Sequence, residues 1–130
     1  MKFSKMEGLG NDFIITHNCS EEEVYKIVKN TPNLCDRRKG IGADGIIFVL
    51  PSKTENSDFV MRIFNSDGSE AEMCGNGIRC FTVYLHEMSI SQKKNFVIET
   101  KAGIIRTEFH GKQIRVDMGN PELKAELIPT

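Results

Sequence analysis

Apolar and polar residues alternate from Lys2 to Met6, which predicts a first β-strand. Gly8-Leu9-Gly10-Asn11-Asp12 breaks the alternation, and Phe13 to Thr16 predicts a second strand. The period then changes. Val24, Ile27 and Val28 form a helical stripe with Glu21, Glu22, Lys26 and Lys29 on the outside. Ser20 and Glu23 bracket its start as a capping box, and the helix is expected to stop near Asn30, ahead of Pro32. A short helical turn is expected over Asn33 to Arg38. Ile46 to Leu50 is a β-branched apolar run and reads as a strand. Pro51 to Ser57 reads as a polar turn. Asp58 to Asn65 follows as a strand with Phe59, Met61 and Ile63 on one side. Ile78, Phe81, Leu85 and Met88 recur at steps of three and four, which predicts a central helix with these four on one face. Asn95 to Thr100, Ile104 to Phe109 and Gln113 to Met118 read as three strands joined by turns at Lys101-Ala102-Gly103 and His110-Gly111-Lys112. The expected fold class is α+β: a mixed, mostly antiparallel sheet curled around one central helix.

Composition narrows the function classes. The chain has 130 residues, enough for one domain with its own core. We read residues 1–118 as that domain and residues 119–130, which begin Gly119-Asn120-Pro121, as the start of an interdomain linker. Seventeen basic and eighteen acidic residues leave a formal charge of −1, with no basic stripe for nucleic acid. The longest apolar run, Ile46 to Leu50, is too short for a membrane span. No apolar signal region follows Met1-Lys2-Phe3, so the expected location is the cytoplasm. The four cysteines, Cys19, Cys35, Cys74 and Cys80, fit no zinc spacing, and His17, His86 and His110 are scattered. No metal site is expected. Cys80 lies six positions after Cys74, about 600° around a helix and about 9 Å along it, a poor partner for a shared site. Cys19, Cys35 and Cys80 read as core or half-buried thiols.

The chemistry concentrates between Asn65 and Cys80. Asn65-Ser66-Asp67-Gly68 is a turn, and Cys74-Gly75-Asn76-Gly77 stands immediately before the central helix. A helix start carries unpaired N–H groups and a partial positive charge. A thiol placed there should lose its proton more readily than an ordinary cysteine, and the same N–H groups suit a carboxylate. Cys74 has a plainer reading as a small filler ahead of a helix. Asn11 can offer a donor and an acceptor to a ligand, or can simply occupy a turn. Gly40-Ile41-Gly42-Ala43-Asp44-Gly45 looks like a dinucleotide loop, but the element that follows it reads as a strand and not a helix. Asp44 there reads as a turn-stabilising carboxylate or as a contact to ligand.

Four blocks together narrow these options. They are Phe3 to Phe13, Arg38 to Gly45, Arg62 to Glu70, and Met73-Cys74-Gly75-Asn76-Gly77-Ile78-Arg79-Cys80. Their order and spacing resemble the diaminopimelate epimerase family over its amino-terminal half. The resemblance implies a diaminopimelate-epimerase-like domain, one of two similar domains facing each other across a cleft, with the carboxy-terminal domain absent from this chain. It implies a cofactor-independent amino-acid epimerase that interconverts LL- and meso-diaminopimelate with two thiols, on the route to lysine and cell-wall peptide. Cys74 would be one acid–base residue. The N–H groups of Gly75 and Asn76 would bind the substrate carboxylate, and Asn11 and Asn65 would hold other polar groups. Many family members have glutamine where this chain has Gly45, so no side-chain role carries over to that position.

A half-length chain is expected to be inactive alone and to expose cleft and sheet edge, which favours association, a homodimer included. Other readings are a proline-racemase-like or phenazine-biosynthesis-like isomerase of the same superfold, or a non-catalytic amino-acid-binding module.

Overall fold

The computed structural model describes residues 3–8, 10–72, 74–110 and 113–117. The expected linker, residues 119–130, lies outside the described residues, as does Met118. Eight strands and three helices alternate along the described chain. They are β1 (Ser4–Gly8), β2 (Asn11–His17), α1 (Glu21–Lys29), α2 (Thr31–Cys35), β3 (Gly45–Pro51), β4 (Phe59–Asn65), β5 (Glu70–Ala71), α3 (Gly75–Glu87), β6 (Asn95–Thr100), β7 (Gly103–His110) and β8 (Gln113–Asp117). One sheet runs in the order β1-β2-β3-β4-β6-β7-β8, with β5 also paired to β4. Most neighbours are antiparallel. The two parallel pairs, β2 with β3 and β4 with β6, are those joined through helices, as parallel neighbours must be.

The crossovers lie on opposite faces. Alternate residues of β2 to β4 (Phe13, Ile15, Ile47, Val49, Met61 and Ile63) join Ile78, Phe81 and Leu85 of α3 in one core. The intervening residues, Ile14, Ile46, Phe48 and Phe64, pack with Val24 and Ile27 of α1 and Cys35 of α2. Coverage on both faces explains why Ile46 to Val49 is an unbroken buried run. Helix α3 touches β1, β2, β3, β7 and β8. Seven flat strands would span about 29 Å at ~4.8 Å spacing, whereas a helix is only about 10 Å across. A helix that reaches both ends of the path therefore requires the sheet to curl around it. Phe81 is wholly buried in that concave core, and its truncation to alanine should cost about 3–5 kcal/mol.

Local signals account for most boundaries. The Ser20 hydroxyl accepts from the Glu23 N–H at 3.1 Å while the Glu23 carboxylate accepts from the Ser20 N–H at 3.1 Å, so the capping box forms. Three expectations need correction. The first hairpin is tighter than predicted: Gly8 pairs directly with Asn11, so Asn11 and Asp12 begin β2 and do not lie in a loop. The helical turn expected over Asn33 to Arg38 starts earlier, at Thr31, because Pro32 both ends α1 and is pre-set for the first turn of α2. Met88 is not on the buried face of α3. It is the C-cap residue and 41% exposed. Ser89 follows with φ 55°, its N–H donates to the His86 carbonyl, and the Ile90 N–H donates to the Leu85 carbonyl. This is a Schellman closure built on serine. It turns the chain so that Ile90, instead of Met88, packs on the core.

Candidate active site

The first turn of α3 rests on the concave face of the sheet. Its seat depends on Gly77, where a Cβ would lie 3.0 Å from Ile63 Cδ1 and 3.4 Å from both Ile47 Cδ1 and Cys74 Cβ. Absence of a side chain at Gly77 brings the helix start close to β3 and β4. Cys74 is the N-cap residue with extended backbone, φ −142° and ψ 120°, and its side chain makes no capping hydrogen bond. It is a free thiol, half-buried, with one side against the core. The Cys74 carbonyl accepts the Ile78 N–H at 2.9 Å, the first bond of the helix. The N–H groups of Gly75 and Asn76 precede that bond, where a helix offers them no acceptor of its own. Among the described residues neither has a hydrogen-bond partner.

The other three thiols differ. Cys35 and Cys80 are buried and Cys19 is half-buried. Burial pushes all three thiols up from the usual cysteine range.

Asn11 and Asn76 meet. Asn76 Nδ2 donates to Asn11 Oδ1 at 2.7 Å, tying the start of α3 to the start of β2. Asn11 Nδ2 in turn donates to Asp44 Oδ2 at 3.3 Å, and the same oxygen accepts the Asp12 N–H at 2.9 Å. Asp44 thus fastens the start of β2, a contact that its reading as a turn-stabilising carboxylate did not foresee. Arg37 binds Asp12 through two nitrogens, at 2.8 and 3.1 Å, and reaches Asp44 Oδ1 at 3.2 Å. The Arg37 guanidinium, helped by Lys5, holds the Asp12 carboxyl well below the usual carboxylate range. A cavity of about 260 Å³ opens beside this network, lined by Glu7, Gly10, Asn11, Asp12 and Arg37. Arg37 and Asp12 were not singled out from the sequence. The available signal was a pair of adjacent arginines ahead of Asp44; the outer one, Arg38, instead donates its backbone N–H to Asp36.

Asn65 lies at the same end of the sheet, opposite Gly45, but does not join the Asn11–Asn76 pair. Its side-chain amide donates to Ser69 Oγ at 3.1 Å, inside its own turn. At Gly45 the backbone passes so near β4 that a Cβ would stand 2.5 Å from the Phe64 carbonyl oxygen. A larger cavity, about 590 Å³, lies on the opposite face of the sheet beside α1, and its lining includes none of Asn11, Asp44, Asn65, Cys74, Gly75 and Asn76. Among the described residues no cluster of three or more His, Cys, Asp or Glu side chains could hold a metal ion, and no helix is long and apolar enough to cross a membrane.

The model of the family described as "Diaminopimelate epimerase" matches residues 3–124. The chain belongs to the diaminopimelate epimerase family. It is 50% identical over its full length to the diaminopimelate epimerase of Synechocystis sp. and covers 47% of that protein. It is 51% identical over 99% of its length to the enzyme of Carboxydothermus hydrogenoformans, again covering 47% of the relative. The chain therefore spans about half the length of the curated relatives it matches. Among solved structures, a hydroxyproline epimerase from Agrobacterium vitis shares the fold, with TM-score 0.67 and 14% identity over 89% of this chain and 40% of the other. A phenazine biosynthesis protein of the PhzF family from Bacillus anthracis aligns with TM-score 0.56 and 27% identity, over 82% of this chain and 33% of the other. The expected superfold is thus observed, and family membership separates the chain from its racemase-like and phenazine-type neighbours.

Proposed function

We propose that this chain is the amino-terminal half of an epimerase that interconverts LL- and meso-diaminopimelate. Cys74 carries the reading: a free thiol at the head of α3, uncommitted to a cap, beside N–H groups of Gly75 and Asn76 that have no partner among the described residues. Inversion at an α-carbon needs a proton taken from one face and another delivered to the opposite face. The Cys74 thiolate removes the α-proton, or the Cys74 thiol supplies one, depending on the direction of reaction. The N–H groups of Gly75 and Asn76 hold the α-carboxylate, whose oxygens take up charge as the proton leaves. Asn11 and Asn65 hold further polar groups of the substrate.

The second thiol comes from a carboxy-terminal domain outside these 130 residues, in keeping with relatives about twice as long. Residues 1–118 act as the amino-terminal domain, and residues 119–130 serve as the start of the interdomain linker. The described sheet ends on β1 and β8 without closing, and its open edges also suit pairing with a second copy of the chain. We place the protein in the cytoplasm, where thiols stay reduced and available for proton transfer.

The test uses the 130-residue chain with either stereoisomer in D₂O, followed by NMR at the α-proton. Little or no exchange with inversion is expected, because one face lacks its donor. Brisk exchange with inversion would mean that another group within these residues serves as the second base. Tight binding of diaminopimelate without turnover, even after the downstream half is supplied, would favour a binding module.

A further inference from the structure

We propose that Asp44, held by Arg37, is a positioning residue that sets which atoms of the Asn11 and Asn76 amides remain free for a ligand. The inference rests on the epimerase reading for its consequence but not for its geometry. An ionised carboxylate has acceptors only, whereas a carboxamide presents donors at one end and an acceptor at the other. Asp44 Oδ2 lies 3.3 Å from Asn11 Nδ2. Turning the Asn11 amide over would set oxygen against oxygen. Asn11 Oδ1 must therefore point the other way, where it takes Asn76 Nδ2 at 2.7 Å. That contact fixes Asn76 in turn: its nitrogen faces Asn11, and its oxygen takes no hydrogen bond among the described residues. The polarity of one carboxylate is passed through two amides to the residue that follows Gly75 at the head of α3.

Asp44 does not choose its own orientation. The Asp12 N–H holds Oδ2 at 2.9 Å, and Arg37 holds Oδ1 at 3.2 Å while gripping Asp12 with both terminal nitrogens. Arg37 is half-exposed, so its value lies in its forked geometry more than in Coulomb energy. The Asn76 oxygen thereby kept free is an acceptor on the same residue that offers a backbone N–H donor at the head of α3. Such a pairing suits a ligand that carries an ammonium next to a carboxylate, as an α-amino acid does.

The test is Asp44→Asn, which keeps the shape and keeps an acceptor for the Asp12 N–H but removes the acceptor-only character. In the ¹⁵N-labelled chain, Asn11 and Asn76 should each give one side-chain amide signal set. In Asp44→Asn each should split into two sets or average, with the melting temperature and the alkylation rate of Cys74 little changed. Arg37→Gln should give the same change more weakly, and carries the test should Asp44→Asn not fold. In the full-length protein, KM for diaminopimelate should rise about tenfold or more while kcat stays within about threefold. Unaltered amide signals in Asp44→Asn, or a fall in kcat with KM unchanged, would overturn the inference. A full-length wild type that fails to invert diaminopimelate would defeat the epimerase reading, and the amide signals would still decide the role of Asp44.

Discussion

Asn76 Nδ2 reaches Asn11 Oδ1 at 2.7 Å across 65 positions of sequence. This contact joins the head of the central helix to the head of a core strand, and Asp44 extends it to a third element. Replacing Asn11 by alanine strips the partner from Asn76 Nδ2 and one of two donors from Asp44 Oδ2, both half-buried. Leaving one such group unpaired typically costs about 1–3 kcal/mol, less where water can enter. Asn11→Ala is expected to lower the urea midpoint with no change in m-value, because the overall surface exposed on unfolding is the same. A midpoint equal to wild type would show that the contact contributes nothing.

Helix α3 ends on Ser89, whose φ of 55° places a side chain in left-handed backbone. That conformation costs an ordinary L-residue roughly 1–2 kcal/mol, and glycine adopts it freely. Ser89→Gly is therefore expected to stabilise the chain by up to about 1 kcal/mol, part of the gain being offset by the greater freedom of glycine in the unfolded state. Chemical denaturation checks it, and a lowered midpoint would contradict the closure described for Leu85, His86 and Ile90.

Acid should loosen the Arg37–Asp12 fastening. Arg37, and then Lys5, depress the Asp12 carboxyl below its ordinary value of 3.8, outweighing the opposing effect of burial. A depressed folded-state value means that the unfolded chain binds the proton more readily. The stabilisation is fully present above about pH 4–5 and is lost as pH falls through and below that range. Melting temperatures taken from pH 6 to pH 2 should fall less steeply in Asp12→Asn than in wild type. Parallel curves would remove Asp12 from the account.

The thiols should separate by reactivity. Cys35 and Cys80 are buried, and burial disfavours the thiolates of both and of Cys19. Cys74 is half-buried at a helix start with no capping bond. Iodoacetamide near neutral pH, followed by peptide mass mapping, should label Cys74 first and Cys80 among the last. Labelling of Cys19 or Cys35 ahead of Cys74 would count against the helix-start argument.

What could be read in advance follows from range. The capping box at Ser20 and Glu23, the strand from Ile46 and the helix after Cys74 are written in neighbouring residues, and each formed near its expected place. Cys74, Gly75 and Asn76 stand out as candidates because glycines and a cysteine stand directly before a helical period, and the resemblance to the family narrows them further. Met88 misled because the 3.6-residue period continues in sequence past the point where the backbone turns, and the turning residue is a serine instead of the usual glycine. Arg37 and Asp44 were harder still. Their partners on β2 lie 25 to 33 positions away, and only the parallel pairing of β2 with β3 brings them together. The donation from Asn65 Nδ2 to Ser69 was likewise not legible, because it depends on the Asp67–Ser69 turn that holds Ser69 in place.

The most direct measurement follows the α-proton of LL-diaminopimelate in D₂O with the full-length protein and with Cys74→Ser. Wild type should incorporate deuterium and form the meso isomer, and Cys74→Ser, with a far weaker acid in place of the thiol, should lose both by at least about a thousandfold. Inversion by Cys74→Ser within tenfold of wild type would show that the proton is moved by some other group.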